Sequence, residues 1–154
     1  LSSDKPTHER KILLVDNEPD VTYAIESVLE DNGFEVDSFN DPVLASATYK
    51  QNYYDLILLD IKMPKMDGFE LYESIREKDK ITKICFLTAS EMFYESLRKA
   101  RNLFGDTLGE EYFIQKPAKS DQLVRYHQFS PETTIYLSKY KDHMRAALST
   151  EMLR

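Results

Sequence analysis

The sequence predicts an α/β protein built on a doubly wound, five-stranded parallel sheet. Three observations predict it. Short apolar runs alternate five times with helix-patterned stretches, joined by short links, between Lys11 and about Phe129. Four of those runs stop abruptly on a polar residue: 12–15 on Asp16, 56–59 on Asp60, 84–87 on Thr88 and 113–115 on Lys116. The run over 34–39 is the least hydrophobic, with Glu35 and Asp37 interleaved, as suits a sheet edge. Right-handed crossovers leave few topologies, and the strand order 2-1-3-4-5 fits best. It puts strand two at an edge and sets strands one and three side by side, with Asp16 and Asp60 adjacent. Open sheets of this kind bind ligands just outside the carboxyl ends of their strands. Two acids, a hydroxyl and an ammonium gathered there suit a metal ion and a phosphoryl group.

The elements follow in order. Residues 1–10 carry almost no apolar surface and read as a flexible leader. After strand one (11–15), helix one begins near Pro19, because proline suits the first helical position, and sets Val21, Ile25, Val28 and Leu29 on one face. Gly33 ends it as a left-handed cap. Asp41-Pro42 then caps and starts a short helix. Strand three (55–59), helix three (69–79) and strand four (83–87) follow. Ser90 is expected to cap helix four, whose Phe93, Leu97, Ala100 and Phe104 recur at helical spacing. Residues 105–111 read as a polar loop and 112–115 as strand five. Ser120 opens a helix that reaches about Phe129. These elements make one domain over 11–129. Ser130-Pro131-Glu132 restarts helix, giving an extra C-terminal helical extension over 130–154. Its stripe of Leu137, Tyr140, Met144 and Leu148 is expected to self-associate or dock on the domain.

Composition narrows the function. The formal charge is −7, with 27 acids against 20 bases, which argues against a nucleic-acid surface because phosphate binding draws on clustered Lys and Arg. No apolar stretch approaches the ~18 residues that span a bilayer, so no membrane is expected and the cytoplasm is the expected compartment. The one cysteine, Cys85, lies inside an apolar strand and reads as a buried hydrophobe. Leu1 in place of methionine suggests a fragment or a processed chain.

The segments Leu14-Val15-Asp16-Asn17-Glu18-Pro19-Asp20, Asp55 through Pro64 with Met66-Asp67-Gly68, Leu87-Thr88-Ala89 and Lys116-Pro117, in this order, closely resemble the CheY-like receiver domain of two-component response regulators. That fold is flavodoxin-like, and the strand order above is matched to it as a template. The resemblance implies that Asp60 takes a phosphoryl group from the phosphohistidine of a sensor histidine kinase or phosphotransfer protein, giving an aspartyl phosphate. It implies Mg²⁺ as cofactor, held by Asp16, Asp60 and the carbonyl of Lys62, with Asn17 as a further candidate ligand. Lys116 is implied to pair with the acids and then the phosphoryl oxygens, Thr88 to donate its hydroxyl, and Phe113 to be the aromatic whose rotamer follows Thr88. The Lys116-Pro117 bond is expected to be cis. Phosphorylation would switch a partner-binding surface made of helix four, strand five and helix five. A homodimer through that face or through the C-terminal helix is a further expectation. The chain is read as a signalling module rather than an enzyme, promoting only its own phosphoryl transfer and dephosphorylation.

One departure stands out. The family usually has two consecutive acids after strand one, whereas this chain has Asp16-Asn17. The lost charge corresponds to about 4 kcal/mol of gross attraction at ~4 Å, much of it cancelled by desolvation. An alternative follows: a degenerate, non-phosphorylated receiver that serves as a protein-binding module. A haloacid-dehalogenase-like phosphatase would carry a second Asp where Lys62 stands, and a flavin-binding relative would not place the acidic, glycine-free Asp16-Asn17-Glu18-Pro19 after strand one. Asp60 alone could be a turn cap and Thr88 alone a strand-end hydroxyl. Lys62 and Lys65 taken alone are solvated charges, and His8, His127 and His143 share no ligand spacing. Met63 and Met66 are gap-fillers, and Tyr49, Tyr53 and Tyr54 pack around helix two.

Overall fold

The computed structural model describes residues 10–116. Most of the leader, Pro117 with its expected cis bond, the helix from Ser120 and the extension over 130–154 lie outside the described residues. Five strands, β1 (Lys11–Val15), β2 (Glu35–Phe39), β3 (Leu56–Asp60), β4 (Lys83–Ala89) and β5 (Phe113–Lys116), form one parallel sheet in the order β2-β1-β3-β4-β5. This is the predicted order. The described helices are α1 (Pro19–Asp31), α2 (Pro42–Ala47), α3 (Gly68–Lys78) and α4 (Phe93–Phe104).

Side chains alternate across a strand, so each strand feeds two cores. Leu56 and Leu58 of β3 join Ile12, Leu14, Cys85, Leu87 and Ile114 on the face covered by Ile25 and Leu29 of α1. Ile57 and Leu59 join the other face, covered by Phe69, Leu71 and Ile75 of α3 and Phe93 and Ala100 of α4. There Phe86 packs 5.1 Å from Phe69 and stacks on Phe113 at 5.3 Å. Every residue of β3 is buried and none of β2 is, which makes β2 the edge its sequence suggests. Cys85 is fully buried, as expected.

The helix boundaries have local causes. Pro19 sits in the first turn of α1, and Gly33, at φ +86°, takes the left-handed conformation after it. Asp41 accepts from Val43 N and starts α2. Asp67 and Glu70 form a reciprocal capping box on α3. The cap expected from Ser90 does not form. Strand β4 runs two residues further than predicted, which carries Ser90 to the sheet edge beside β5. Its hydroxyl donates to the Lys116 carbonyl at 3.1 Å, a 3₁₀ turn spans Ser90–Met92, and α4 starts at Phe93 without a side-chain cap. The expected polar loop over 105–111 holds 3₁₀ turns and buries Leu108.

Candidate functional site

Strand register decides which side chains meet. Val15 pairs with Leu59, so Asp16 and Asp60 leave neighbouring strands at the same level. One strand further on, Thr88 pairs with Gln115 and Ala89 with Lys116. The Lys116 ammonium lies 3.2 Å from Asp16 Oδ2 and 3.1 Å from Asp60 Oδ1. Both carboxylates are buried, and their mutual repulsion is offset by this one cation, whose side chain keeps 17% of its exposure. Burial pushes the Asp60 carboxyl up to about 6, the Asp16 charge adds to this, and Lys116 opposes it. Burial pulls the Lys116 ammonium down, but the two carboxylates more than compensate and leave it above its ordinary value.

The loop after β1 is held by its own polar groups. Asp16 Oδ1 accepts from Glu18 N at 2.9 Å, and its carbonyl accepts from Asn40 Nδ2 at 2.7 Å and from Thr22 Oγ1 at 3.2 Å. Asn17 therefore has a fixed position. One end of its amide faces two acceptors, Asp60 Oδ2 and the Lys62 carbonyl, and a nitrogen turned toward them stands at 3.0 and 3.3 Å, within donating range of both, where an oxygen would find no donor. The two oxygens of Asp60 are divided, Oδ1 toward Lys116 and Oδ2 toward Asn17. The side chain of Lys62 is not needed for this, and the residue is exposed.

Thr88 is buried, and its hydroxyl meets Ser96 Oγ of α4 at 3.1 Å. Phe113 is buried too, its ring stacked on Phe86 in the core. A cleft of about 690 Å³ joins Asp60, Thr88 and Lys116 to Lys62, Ser96 and Lys99. Lys99 of α4 makes an ion pair at 3.1 Å with Asp67, the cap of α3.

Two residues escaped the sequence reading. Ser96 had a signal: it lies three residues after Phe93 and four before Ala100, a small polar residue on the buried face of α4. Gly68 was quoted only as part of a motif. Its N–H donates to the Ile61 carbonyl at 2.8 Å, and a Cβ there would overlap the Asp60 carbonyl oxygen and lie 2.8 Å from Ile61 Cα. The start of α3 can approach Asp60 so closely only because the side chain is missing.

The donors on this edge are two carboxylates, a carbonyl and an amide, which are hard ligands of the kind Mg²⁺ prefers. Among the described residues no three His, Cys, Asp or Glu side chains gather as a metal cluster. The oxygen donors within reach on this edge are those of Asp16, Asp60 and the Lys62 carbonyl, with the Asn17 amide beside them.

A family model of the response regulator receiver domain matches residues 12–128. The chain belongs to that family. This receiver domain is 33% identical over 114 residues to the transcriptional regulatory protein DltR of Streptococcus agalactiae, a match that covers 74% of the chain and 48% of DltR. The chain thus spans about half the length of the curated relatives it matches first. Among solved structures, the non-phosphorylated HemR receiver domain of Leptospira biflexa is 29% identical, with a TM-score of 0.64 and coverage of 79% of this chain and 96% of that one. The receiver domain of the sensor histidine kinase PA1611 of Pseudomonas aeruginosa, which has a magnesium ion coordinated in its active-site cleft, is 26% identical. Its TM-score is 0.64, with coverage of 80% of this chain and 98% of that one. The five-stranded sheet described above is the fold these receivers share. No described helix is long and apolar enough to cross a membrane.

Proposed function

We propose that Asp60 is the phosphoacceptor of this receiver domain. One of its carboxylate oxygens attacks the phosphorus of a phosphohistidine on a sensor histidine kinase or phosphotransfer protein. The O–P bond forms as the P–N bond breaks, the electron pair leaves with the imidazole nitrogen, and an aspartyl phosphate results. The observation that carries this reading is Lys116 bridging Asp16 and Asp60 beside an accessible cleft, with the hydroxyl of Thr88 on its wall. Lys116 holds Asp60 Oδ1 in place and can follow the charge onto a phosphoryl oxygen. Thr88 can donate its hydroxyl hydrogen to another, and because the same hydroxyl pairs with Ser96 Oγ, occupancy of the site is tied to α4. Phe113 is packed where it can sense that movement only through Phe86 and the strand it belongs to.

Asp16, Asp60 and the Lys62 carbonyl, with Asn17 beside them, would hold a Mg²⁺ ion; the donor types fit, and the PA1611 receiver offers a precedent. When bound, such an ion supplies neutralisation between a carboxylate and an incoming phosphoryl group. The match covers 48% of DltR, a transcriptional regulatory protein, and we assign this chain the receiver step, in the cytoplasm and without direct contact to nucleic acid. The domain boundaries we propose are 11–129 for the receiver and 130–154 for a C-terminal extension, with homodimer contact through the helix-four, strand-five, helix-five face or through the extension.

The test is incubation with Mg²⁺ and acetyl phosphate followed by intact-mass measurement. The wild-type chain is expected to gain one phosphoryl group and Asp60→Ala none. If the wild type gains none, even from its cognate kinase, the phosphoacceptor reading fails and the binding-module reading takes its place.

A further inference from the structure

We infer that the Asn17 side chain is a two-way plug of the cation site: its amide nitrogen points inward and ties Asp60 to Lys62 when no cation is bound, and its oxygen turns inward when one is. The inference rests on the Mg²⁺ reading above and goes beyond it.

Geometry carries it. The inward atom of the Asn17 amide stands 3.0 Å from Asp60 Oδ2 and 3.3 Å from the Lys62 carbonyl oxygen. An octahedral ion with bonds of 2.0–2.1 Å sets adjacent ligand atoms about 2.9 Å apart. The inward atom of Asn17, as a third atom beside those two oxygens, therefore stands from each at nearly that spacing. What differs is only the identity of the third atom. Between two bare acceptors an oxygen is repelled and an N–H₂ group donates to both; beside a cation the N–H₂ group is repelled and the oxygen binds. The two ends of an amide have nearly the same size and shape, so half a turn about Cβ–Cγ exchanges them without moving the backbone. That backbone is fixed by Asp16, whose side chain and carbonyl hold the loop from both sides.

An aspartate at 17 could not do this. It would set a third carboxylate beside Asp60 and Asp16 with only Lys116 to offset them, so it would need the cation to keep the site together. Asparagine bridges Asp60 Oδ2 and the Lys62 carbonyl by itself, one amide hydrogen to each. The consequence is a receiver whose acidic site is assembled without metal and which binds metal more weakly, because the ion must displace two hydrogen bonds and gains a neutral ligand.

The experiment uses the full chain, uniformly ¹⁵N-labelled, with Mg²⁺ as the probe. The Asn17 side-chain amide signals are identified by their loss in Asn17→Asp and followed as Mg²⁺ is added. They are expected to be protected from exchange with solvent in EDTA and to move and lose that protection at saturating Mg²⁺. Thermal melts of the two proteins should invert in order: wild type above Asn17→Asp in EDTA, below it in saturating Mg²⁺. The aspartate variant should bind Mg²⁺ about tenfold more tightly or better. Asn17→Ala, which keeps the loop but has neither plug nor ligand, should melt below wild type in EDTA. Mg²⁺ binding that leaves the Asn17 signals unmoved, or an Asn17→Ala chain as stable in EDTA as wild type, overturns the plug while sparing the metal site. Absence of Mg²⁺ binding in both wild type and Asn17→Asp overturns the metal reading and the plug together.

Discussion

Lys116 is a single ammonium placed between two buried carboxylates, and its removal leaves them facing each other without a counter-charge. Breaking a buried ion pair by deleting one partner costs about 3–5 kcal/mol, and the residual exposure of Lys116 sets the expectation at the lower end. Lys116→Met is expected to lower stability by about 3 kcal/mol at neutral pH, read from urea melts. Asp60→Asn in the same chain should restore part of that loss, because it removes one of the two repelling charges. If Lys116→Met unfolds at the wild-type midpoint, the bridge contributes nothing and the geometry around Asp60 has been misread. The residue scale is also where the sequence was easiest to follow. Asp16, Asp60, Thr88 and Lys116 each break an apolar strand run with a polar group, and their coincidence on neighbouring strands outweighs the cap or strand-end hydroxyl that one of them alone could be.

Between elements, the site depends on two contacts that no local pattern shows. The first is Gly68, where the capping box of α3 presses against the backbone of Asp60 and Ile61. Gly68→Ala must push α3 away or displace Asp60, and overpacking of this kind costs about 1–3 kcal/mol. The same variant should phosphorylate more slowly with acetyl phosphate than wild type; an unchanged rate and unchanged stability would show that the approach is looser than it is drawn here. The second contact is Thr88 to Ser96: with Thr88 as its donor, a phosphoryl group and α4 compete for one hydroxyl hydrogen. Ser96→Ala removes the competitor. A neutral hydrogen bond is worth roughly 0.5–1.5 kcal/mol net, so the variant should bind the phosphoryl mimic beryllofluoride about twofold to tenfold more tightly. The gain should vanish in Thr88→Ala, and a loss of affinity in Ser96→Ala would mean that Ser96 helps the occupied state instead. Ser96 itself was legible as a small polar residue on a buried helix face, but its partner was not, because strand β4 and helix α4 meet only through the sheet register. Ser90 shows the opposite failure: its sequence is a good helix cap, and two further residues of β4 pairing with β5 outweighed that local preference.

Across the whole molecule, the fold was readable because parallel strands and amphipathic helices have different periods, and Pro19, Gly33 and Asp41-Pro42 mark where one gives way to the other. The far end of the sheet was not readable, since it is held by polar groups that come together only in three dimensions. There the buried Asp79 accepts from Tyr49 Oη at 2.6 Å, Thr82 Oγ1 at 2.7 Å and the N–H groups of Ile81 and Thr82 at 3.0 Å each. Sequence reading placed Tyr49 only as packing; its hydroxyl also ties the segment after α2 to the turn before β4. Burial by itself would raise the Asp79 carboxyl, but these four donors outweigh it and hold the group well below the usual carboxylate range. A carboxyl depressed on folding contributes stability that is present above its unfolded value, about 3.9, and is lost as pH falls toward the folded value. Tyr49→Phe keeps the ring and removes one of the four donors. It should cost about 1–2 kcal/mol at pH near 7, within the range for a hydrogen bond to a charged group. The gap between the two proteins should then narrow as pH falls below about 4, because protonation removes in both the charge that the hydroxyl serves. Urea melts of wild type and Tyr49→Phe at neutral and acid pH decide the matter. A gap that is the same at both would place the contribution of Tyr49 in packing and not in the charge of Asp79.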